Sequence, residues 1–195
     1  MSLSIYPKII DDALEELLFE EIAHILQNTS WKFGWRSANS LGETLVHWNK
    51  HVAGGGKSSR LSCDEELNAN MEVRPIADAW QILKKKYFPT HSLIRCYANA
   101  HTFGLDGSIH RDNSAEVAMT TTILYCHRLW PIPWGGELVF YDDCVESIVA
   151  SVNPKPNRIV IFPGHMPHVA KSPSRVCRDL RISLVFKSMD INVLS

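Results

Sequence analysis

The chain has 195 residues, 45% of them hydrophobic and 21% charged, which is the composition of an ordinary globular protein and not of a disordered one. Twenty Lys and Arg against twenty-one Asp and Glu give a net charge of −1, which removes the simplest argument for a nucleic-acid or anionic-membrane partner. Five cysteines without a CxxC pair, no apolar leader and no run of 18 apolar residues predict a single-domain protein of the cytoplasm.

The N-terminal half predicts two helices. The first begins near Asp11 or Asp12, either of which can cap it, and runs to Asn28. Its apolar stripe is Leu14, Leu17, Leu18, Ile22, Ile25 and Leu26. The second runs from Pro75 to about Phe88 and buries the stripe Ile76, Trp80, Leu83 and Tyr87. These helices predict a support layer over residues 1–90.

Between the two helices, residues 34–65 are rich in Gly, Ser and Asn and carry no clear periodicity. Long irregular connections in compact domains are often lids or binding loops, so this segment is a candidate lid, with Trp31, Trp35 and Trp48 beside or within it. The alternative is that the three tryptophans are core residues between the helices and the rest of the fold.

From residue 91 onward the pattern changes to short strands separated by turns such as Gly135-Gly136 and Pro163-Gly164. The predicted strands are 92–98, 118–126, 137–141, 148–152, 158–162 and 180–187. Several short strands without helices between them indicate an antiparallel barrel or jelly roll over residues 91–195.

A candidate metal site lies in this half. On an extended segment His110 and Asp112 point to the same side, and antiparallel pairing could return His168 to them. Two histidines and one carboxylate form the facial set that leaves positions open on Fe(II). His165 competes with His168 for the third position. The other histidines (24, 47, 51, 91, 101 and 127) are interpreted as ordinary surface or core residues.

A candidate anion site lies on the last strand. Alternation places Ile182, Leu184 and Phe186 on one face, and Arg181, Ser183 and Val185 on the other. If the apolar face packs under the helices, Arg181 points into the barrel, where a buried guanidinium requires an anion and best binds a carboxylate. The same alternation gives Tyr125 a position from which its phenol could donate to that anion.

The stretches 95–112, 120–143 and 158–187 resemble the Fe(II)- and 2-oxoglutarate-dependent dioxygenases, specifically the prolyl-hydroxylase-like branch. The resemblance implies a double-stranded β-helix, a jelly-roll variant, with His110, Asp112 and His168 as iron ligands. It implies that Arg181 and Tyr125 bind the distal carboxylate of 2-oxoglutarate, and that Tyr97, Leu138 and Ser183 belong to the cosubstrate pocket. Arg178 stays an alternative to Arg181, because it is nearer to the usual spacing after His168.

The implied activity is hydroxylation of a C–H bond in an amino acid, peptide or small metabolite, with Fe(II), 2-oxoglutarate and O2, and with release of succinate and CO2. The rival from another class is a cupin-like module that binds a metal or carboxylate without turnover. A zinc hydrolase is a second rival, but no acid or base residue near the metal ligands stands out in the sequence. A halogenase is disfavoured because Asp112 occupies the place of a halide.

Overall fold

Two antiparallel sheets pack face to face in the part of the chain that the computed structural model describes, residues 6–37, 45–55 and 61–193. The helices are α1 (Glu16–Gln27), α2 (Cys63–Ala69) and α3 (Arg74–Tyr87). The strands are β1 (Lys8–Ile10), β2 (Lys32–Arg36), β3 (Val46–Ala53), β4 (His91–His101), β5 (Met119–Tyr125), β6 (Leu138–Tyr141), β7 (Ile148–Val152), β8 (Ile159–Pro163), β9 (His168–Ala170) and β10 (Arg181–Asp190). The larger sheet has the order β1-β8-β5-β10-β4-β3-β2, and the smaller one has the order β7-β6-β9. None of the described helices is long and apolar enough to cross a membrane.

Strand β10 divides the interior into two cores, because its successive side chains point to opposite faces of the larger sheet. Ile182, Leu184 and Phe186 pack under the helices, where Trp80 of α3 stacks on Phe186 with ring centroids 5.6 Å apart. Val185 faces the smaller sheet and joins the second core. The alternation predicted from the sequence is therefore confirmed, and it directs the odd-numbered residues of β10 into the space between the sheets.

The start of α1 differs from the prediction. The helix begins at Glu16, and its N-cap residue Glu15 makes no side-chain cap hydrogen bond. Asp11 is not a cap: its carboxylate binds Arg158, the residue before β8, with Nε–Oδ1 at 2.6 Å. Leu17 is 75% exposed, because the buried stripe is Phe19, Ile22, Ala23 and Leu26.

Residues before 91 also supply strands, so the support layer is not only helical. Strand β3 pairs with β4 inside the segment 34–65, which we expected to be irregular. The inward-facing side chains of β3 include His47 and Asn49, so the apolar alternation that marks a strand is absent. Trp31 and Trp48 pack against the helical core, as the alternative interpretation proposed, whereas Trp35 lies on the exposed strand β2. The rest of the candidate lid, residues 38–44 and 56–60, lies outside the described residues.

Candidate active site

His110, Asp112 and His168 meet at one end of the space between the sheets. His110 and His168 face each other across an isolated antiparallel bridge, in which each backbone N–H donates to the other residue's carbonyl oxygen at 3.0 Å. The N–H of Asp112 donates to the carbonyl oxygen of Gly164 at 2.7 Å. One ligand atom from each of the three side chains lies within 4.8 Å of the others. The backbone pairing therefore brings together two residues separated by 58 positions in the sequence.

The hydrogen bonds of the two imidazoles leave their Nε2 atoms available to a metal. Nδ1 of His110 lies 2.9 Å from the carbonyl oxygen of Ser108, and Nδ1 of His168 lies 2.8 Å from that of Met166. A carbonyl oxygen only accepts, so each Nδ1 carries the hydrogen and each Nε2 presents its lone pair. Burial lowers the pKa of His168 to about 4, which keeps this ligand neutral at pH 7. The donor set fits a divalent transition metal.

Asp112 is held by two neighbours in the larger sheet. Its Oδ2 accepts from the Thr121 hydroxyl at 2.5 Å, and its Oδ1 accepts from Nζ of Lys187 at 2.8 Å. Burial alone would raise the pKa of Asp112, but its polar neighbours His110, His168 and Lys187 outweigh burial and hold the pKa well below its usual range. The group is therefore a carboxylate, as metal binding requires.

Arg181 lies at the other end of the same space and has unused hydrogen-bond donors. The side chain is 1% exposed, and its Nε donates to the carbonyl oxygen of Gly136 at 2.5 Å. Gly136 has φ of 79°, and a Cβ there would lie 3.0 Å from Cδ of Arg181, so the close approach requires glycine. Nη1 and Nη2 of Arg181 and the hydroxyl of Tyr125 have no partner among the described residues. Buried donors of this kind indicate a site for an anion such as a carboxylate.

One cavity connects these two ends. The residues predicted from the sequence that line it are Tyr97, His110, Asp112, Leu138, His168, Arg181 and Ser183. Tyr125 lies next to it, with its ring centroid 5.3 Å from Cζ of Arg181. The two alternatives lie elsewhere: Arg178 is exposed, and His165 is not part of the cluster of metal-ligating side chains. The structure thus brings the predicted metal ligands and the predicted cosubstrate residues into one site.

Several residues of the site were not predicted. Lys187 lies on the same face of β10 as Arg181, so strand alternation was the signal that could have found it. Asn99 and His101 follow Tyr97 at two-residue spacing on β4 and also line the cavity. His47 gave no such signal, because its strand was not recognised.

A family model described as the 2OG-Fe(II) oxygenase superfamily matches residues 94–186, a range that contains the three clustered ligands and Arg181. The core of this chain belongs to the 2OG-Fe(II) oxygenase superfamily. The chain is a 2-oxoglutarate-dependent dioxygenase, whose cofactors are Fe(II), 2-oxoglutarate and O2. The family, the enzyme class and the cofactors predicted from the sequence are therefore confirmed.

Solved structures show the same fold. A Trichoplax adhaerens prolyl hydroxylase, solved with a peptide fragment of the hypoxia inducible factor oxygen degradation domain, has 17% identity and a TM-score of 0.65, covering 97% of this chain and 86% of its own. A Pseudomonas putida prolyl-4-hydroxylase has 17% identity and a TM-score of 0.62 over 94% of this chain and 91% of its own. The epimerase SnoN from nogalamycin biosynthesis has 11% identity and a TM-score of 0.59, covering 94% of this chain and 77% of its own. No curated protein matches the sequence significantly. The double-stranded β-helix predicted from the sequence is thus confirmed.

Replacing Lys187 of this oxygenase with methionine is expected to strengthen divalent metal binding by about tenfold or more, because the ammonium competes with the ion for Asp112 and repels its charge. Thr121→Val should act in the opposite direction and weaken binding by about 10- to 100-fold, because the lost hydrogen bond orients the ligand without changing the charge. Titration with Mn(II), followed by electron paramagnetic resonance, measures both effects. A change of Mn(II) affinity in the same direction in both variants would contradict the roles given to Lys187 and Thr121.

Acidification from pH 7 to pH 5 is expected to destabilise the metal-free oxygenase. Burial lowers the pKa of His47 from 6.5 to about 4 and that of His127 from 6.5 to about 3. The unfolded chain therefore binds more protons below pH 6.5, and the free energy of unfolding falls by about 2 kcal/mol per histidine at pH 5. Urea unfolding at the two pH values measures this decrease in the free energy of unfolding. In His127→Phe, about half of the combined decrease from His47 and His127 should disappear. An unchanged pH dependence in that variant would contradict the assignment.

Proposed function

We propose that this oxygenase hydroxylates a C–H bond of an amino acid, a peptide or a small metabolite. The overall reaction takes one O2 and one 2-oxoglutarate, returns succinate and CO2, and adds one oxygen atom to the substrate. The observation that carries the proposal is the cavity in which a His–His–carboxylate cluster lies at one end and a buried guanidinium with two unpaired nitrogens, Nη1 and Nη2 of Arg181, lies at the other. The match to the superfamily disfavours the rival, a binding module without turnover.

The metal end of the cavity holds and orients the ion. Nε2 of His110, Nε2 of His168 and one oxygen of Asp112 are the proposed ligands, and such a facial set leaves coordination positions open. When bound there, Fe(II) supplies the activation of O2 that is coupled to oxidative decarboxylation of 2-oxoglutarate. Thr121 and Lys187 position the carboxylate by binding its two oxygens.

The other end of the cavity binds the cosubstrate. Nη1 and Nη2 of Arg181 donate to the distal carboxylate of 2-oxoglutarate, and the Tyr125 hydroxyl adds a third donor. Burial raises the pKa of Tyr125, so its phenol keeps the proton that it donates. Tyr97, Leu138 and Ser183 form the wall along the carbon chain of the cosubstrate. These roles agree with the residues' positions in the cavity.

The substrate class stays broad in this proposal. The Trichoplax adhaerens enzyme was solved with a peptide, and SnoN belongs to nogalamycin biosynthesis, so the fold accommodates peptides and small molecules. We expect no nucleic-acid or membrane partner from the balanced charge of the chain. A cytoplasmic location stays a prediction, with which the five free cysteines agree.

The experiment combines cosubstrate turnover with product mass. The purified enzyme is incubated with Fe(II), ascorbate, 2-oxoglutarate and a panel of free amino acids, peptides and metabolites. We expect one panel member to accelerate succinate formation and to gain the mass of one oxygen atom. A compound that accelerates succinate formation but is epimerised or desaturated, without that gain in mass, would overturn hydroxylation and leave the oxygenase assignment intact.

A further inference from the structure

Two histidines without a role in the proposed reaction lie side by side in the wall of the cavity. His47 of β3 and His101 of β4 stack with ring centroids 4.7 Å apart and an angle of 24° between the rings. Each residue is 1% exposed, and both line the cavity. All four of their ring nitrogens lack a hydrogen-bond partner among the described residues. Buried polar groups in folded proteins are almost always paired, so these nitrogens require an explanation.

The pair reaches beyond the carboxylate that Arg181 would bind. His101 lies opposite Arg181 in the register of β4 and β10, and His47 continues the same row into β3, because Trp48 pairs with Ala100. Neighbouring strands are about 4.8 Å apart, so the backbone of His47 lies roughly 10 Å from that of Arg181. This separation places His47 two strands away from Arg181 and favours a second chemical group as the partner of the imidazole pair.

The hydrogen-bonding capacity of the pair defines that group. Burial and the charge of Arg181 lower the pKa of both histidines, that of His47 to about 4, so both rings are neutral. A neutral imidazole offers one N–H donor and one acceptor nitrogen. A carboxylate only accepts and would leave the acceptor nitrogens unpaired, whereas a carboxamide or a hydroxyl both donates and accepts. Asn99 and Ser183 also line the cavity and add neutral polar side chains to it.

We propose that His47 and His101 form a subsite that binds a neutral polar group of the primary substrate, a carboxamide or a hydroxyl. This inference rests on the proposed function, because it requires that a primary substrate enters the cavity. It narrows the substrate class to molecules that carry such a group.

Nitrogen-15 NMR of the histidine rings tests the subsite without turnover. The Zn(II)–2-oxoglutarate complex of the full chain is titrated with acetamide and, separately, with acetate. We expect saturable shifts of the ring nitrogens of His47 and His101 with acetamide, and none with acetate. His47→Phe should reduce the apparent acetamide affinity at His101 by about tenfold. An equal response to acetate, a response to neither probe, or full satisfaction of the nitrogens by 2-oxoglutarate or water would each overturn the proposal.

Because this readout needs no hydroxylation, its failure is distinguishable from failure of the proposed function. An enzyme that hydroxylates a substrate but shows no acetamide response would lose only the subsite. An enzyme that binds acetamide at this pair but releases no succinate would lose only the proposed reaction.

Thermal stability provides a second test, since residues kept for binding are expected to be suboptimal for folding. Replacing either imidazole of the pair by a phenylalanine ring removes unpaired buried nitrogens, so His47→Phe and His101→Phe should keep or raise Tm. His91→Phe is the matched control, because Nδ1 of His91 is hydrogen-bonded to the Ser188 hydroxyl at 3.0 Å and this variant should lower Tm. A lower Tm in the two cavity variants, with the acetamide response retained, would assign the pair a structural role and overturn the proposal.

Discussion

Replacing Asp112 with alanine is expected to abolish Fe(II)-dependent consumption of 2-oxoglutarate. The variant loses the only carboxylate of the metal-ligating cluster and leaves the Lys187 ammonium beside the metal position without its partner. Both changes oppose binding of a divalent cation, so metal affinity should fall by more than about a hundredfold. Mn(II) titration measures the affinity, and succinate formation under saturating Fe(II) measures the activity.

The matched control for this variant is Asp143→Ala. The Asp143 carboxylate is 86% exposed and binds Arg111, the residue between the two ligands of the His-x-Asp motif. Arg111 also donates to the backbone carbonyls of His165 and Asp143, so the loop should stay in place in the control. We expect near-normal metal affinity and turnover in Asp143→Ala. Normal coupled turnover in Asp112→Ala would show that the metal cluster is assigned wrongly.

Replacing Arg181 with leucine is expected to raise the apparent 2-oxoglutarate constant by roughly ten- to a hundredfold or more. Hydrogen bonds to charged groups contribute about 1.5–3 kcal/mol each, and a buried carboxylate without a partner costs more. Arg181 lies at the opposite end of the cavity from the metal ligands, so Mn(II) affinity should change little. Isothermal titration of the Mn(II)-loaded protein with 2-oxoglutarate measures the effect directly.

Two further variants define the anchor. Tyr125→Phe should weaken 2-oxoglutarate binding in the same direction but less, because it removes one neutral donor. Arg178→Leu should leave binding unchanged, because its side chain is exposed. If Arg178→Leu impairs cosubstrate binding while Arg181→Leu does not, the anchor is Arg178, and the assignment of Arg181 from strand alternation is wrong.

The strands of the catalytic half were predictable because their physical signal is local. Residues 92–98, 118–126 and 180–187 carry the apolar alternation that a half-buried strand requires, and each lies within an observed strand or overlaps one. The same alternation predicts that Arg181 points into the cavity, which the burial of its side chain confirms. Proximity of His168 to His110 needed long-range pairing, which spacing permits but does not determine.

Strand β3 of the N-terminal half was harder to predict because some of its inward-facing residues are polar. Strand β3 buries His47 and Asn49 where a strand usually buries aliphatic residues, so a periodicity argument finds no strand there. His47, one of the polar side chains that interrupt the apolar pattern of β3, also lines the cavity. Functional surfaces are expected to break local sequence rules, and β3 is an example.

The central claim is that the His110–Asp112–His168 cluster and Arg181 together support oxidative decarboxylation of 2-oxoglutarate by O2. The most direct measurement is the isotope content of succinate formed by the Fe(II)-loaded enzyme under 18O2. We expect one 18O atom in the new carboxylate of succinate from the wild-type enzyme, and no succinate from Asp112→Ala. Unlabelled succinate, or unchanged 2-oxoglutarate in the presence of Fe(II) and O2, would contradict the claim.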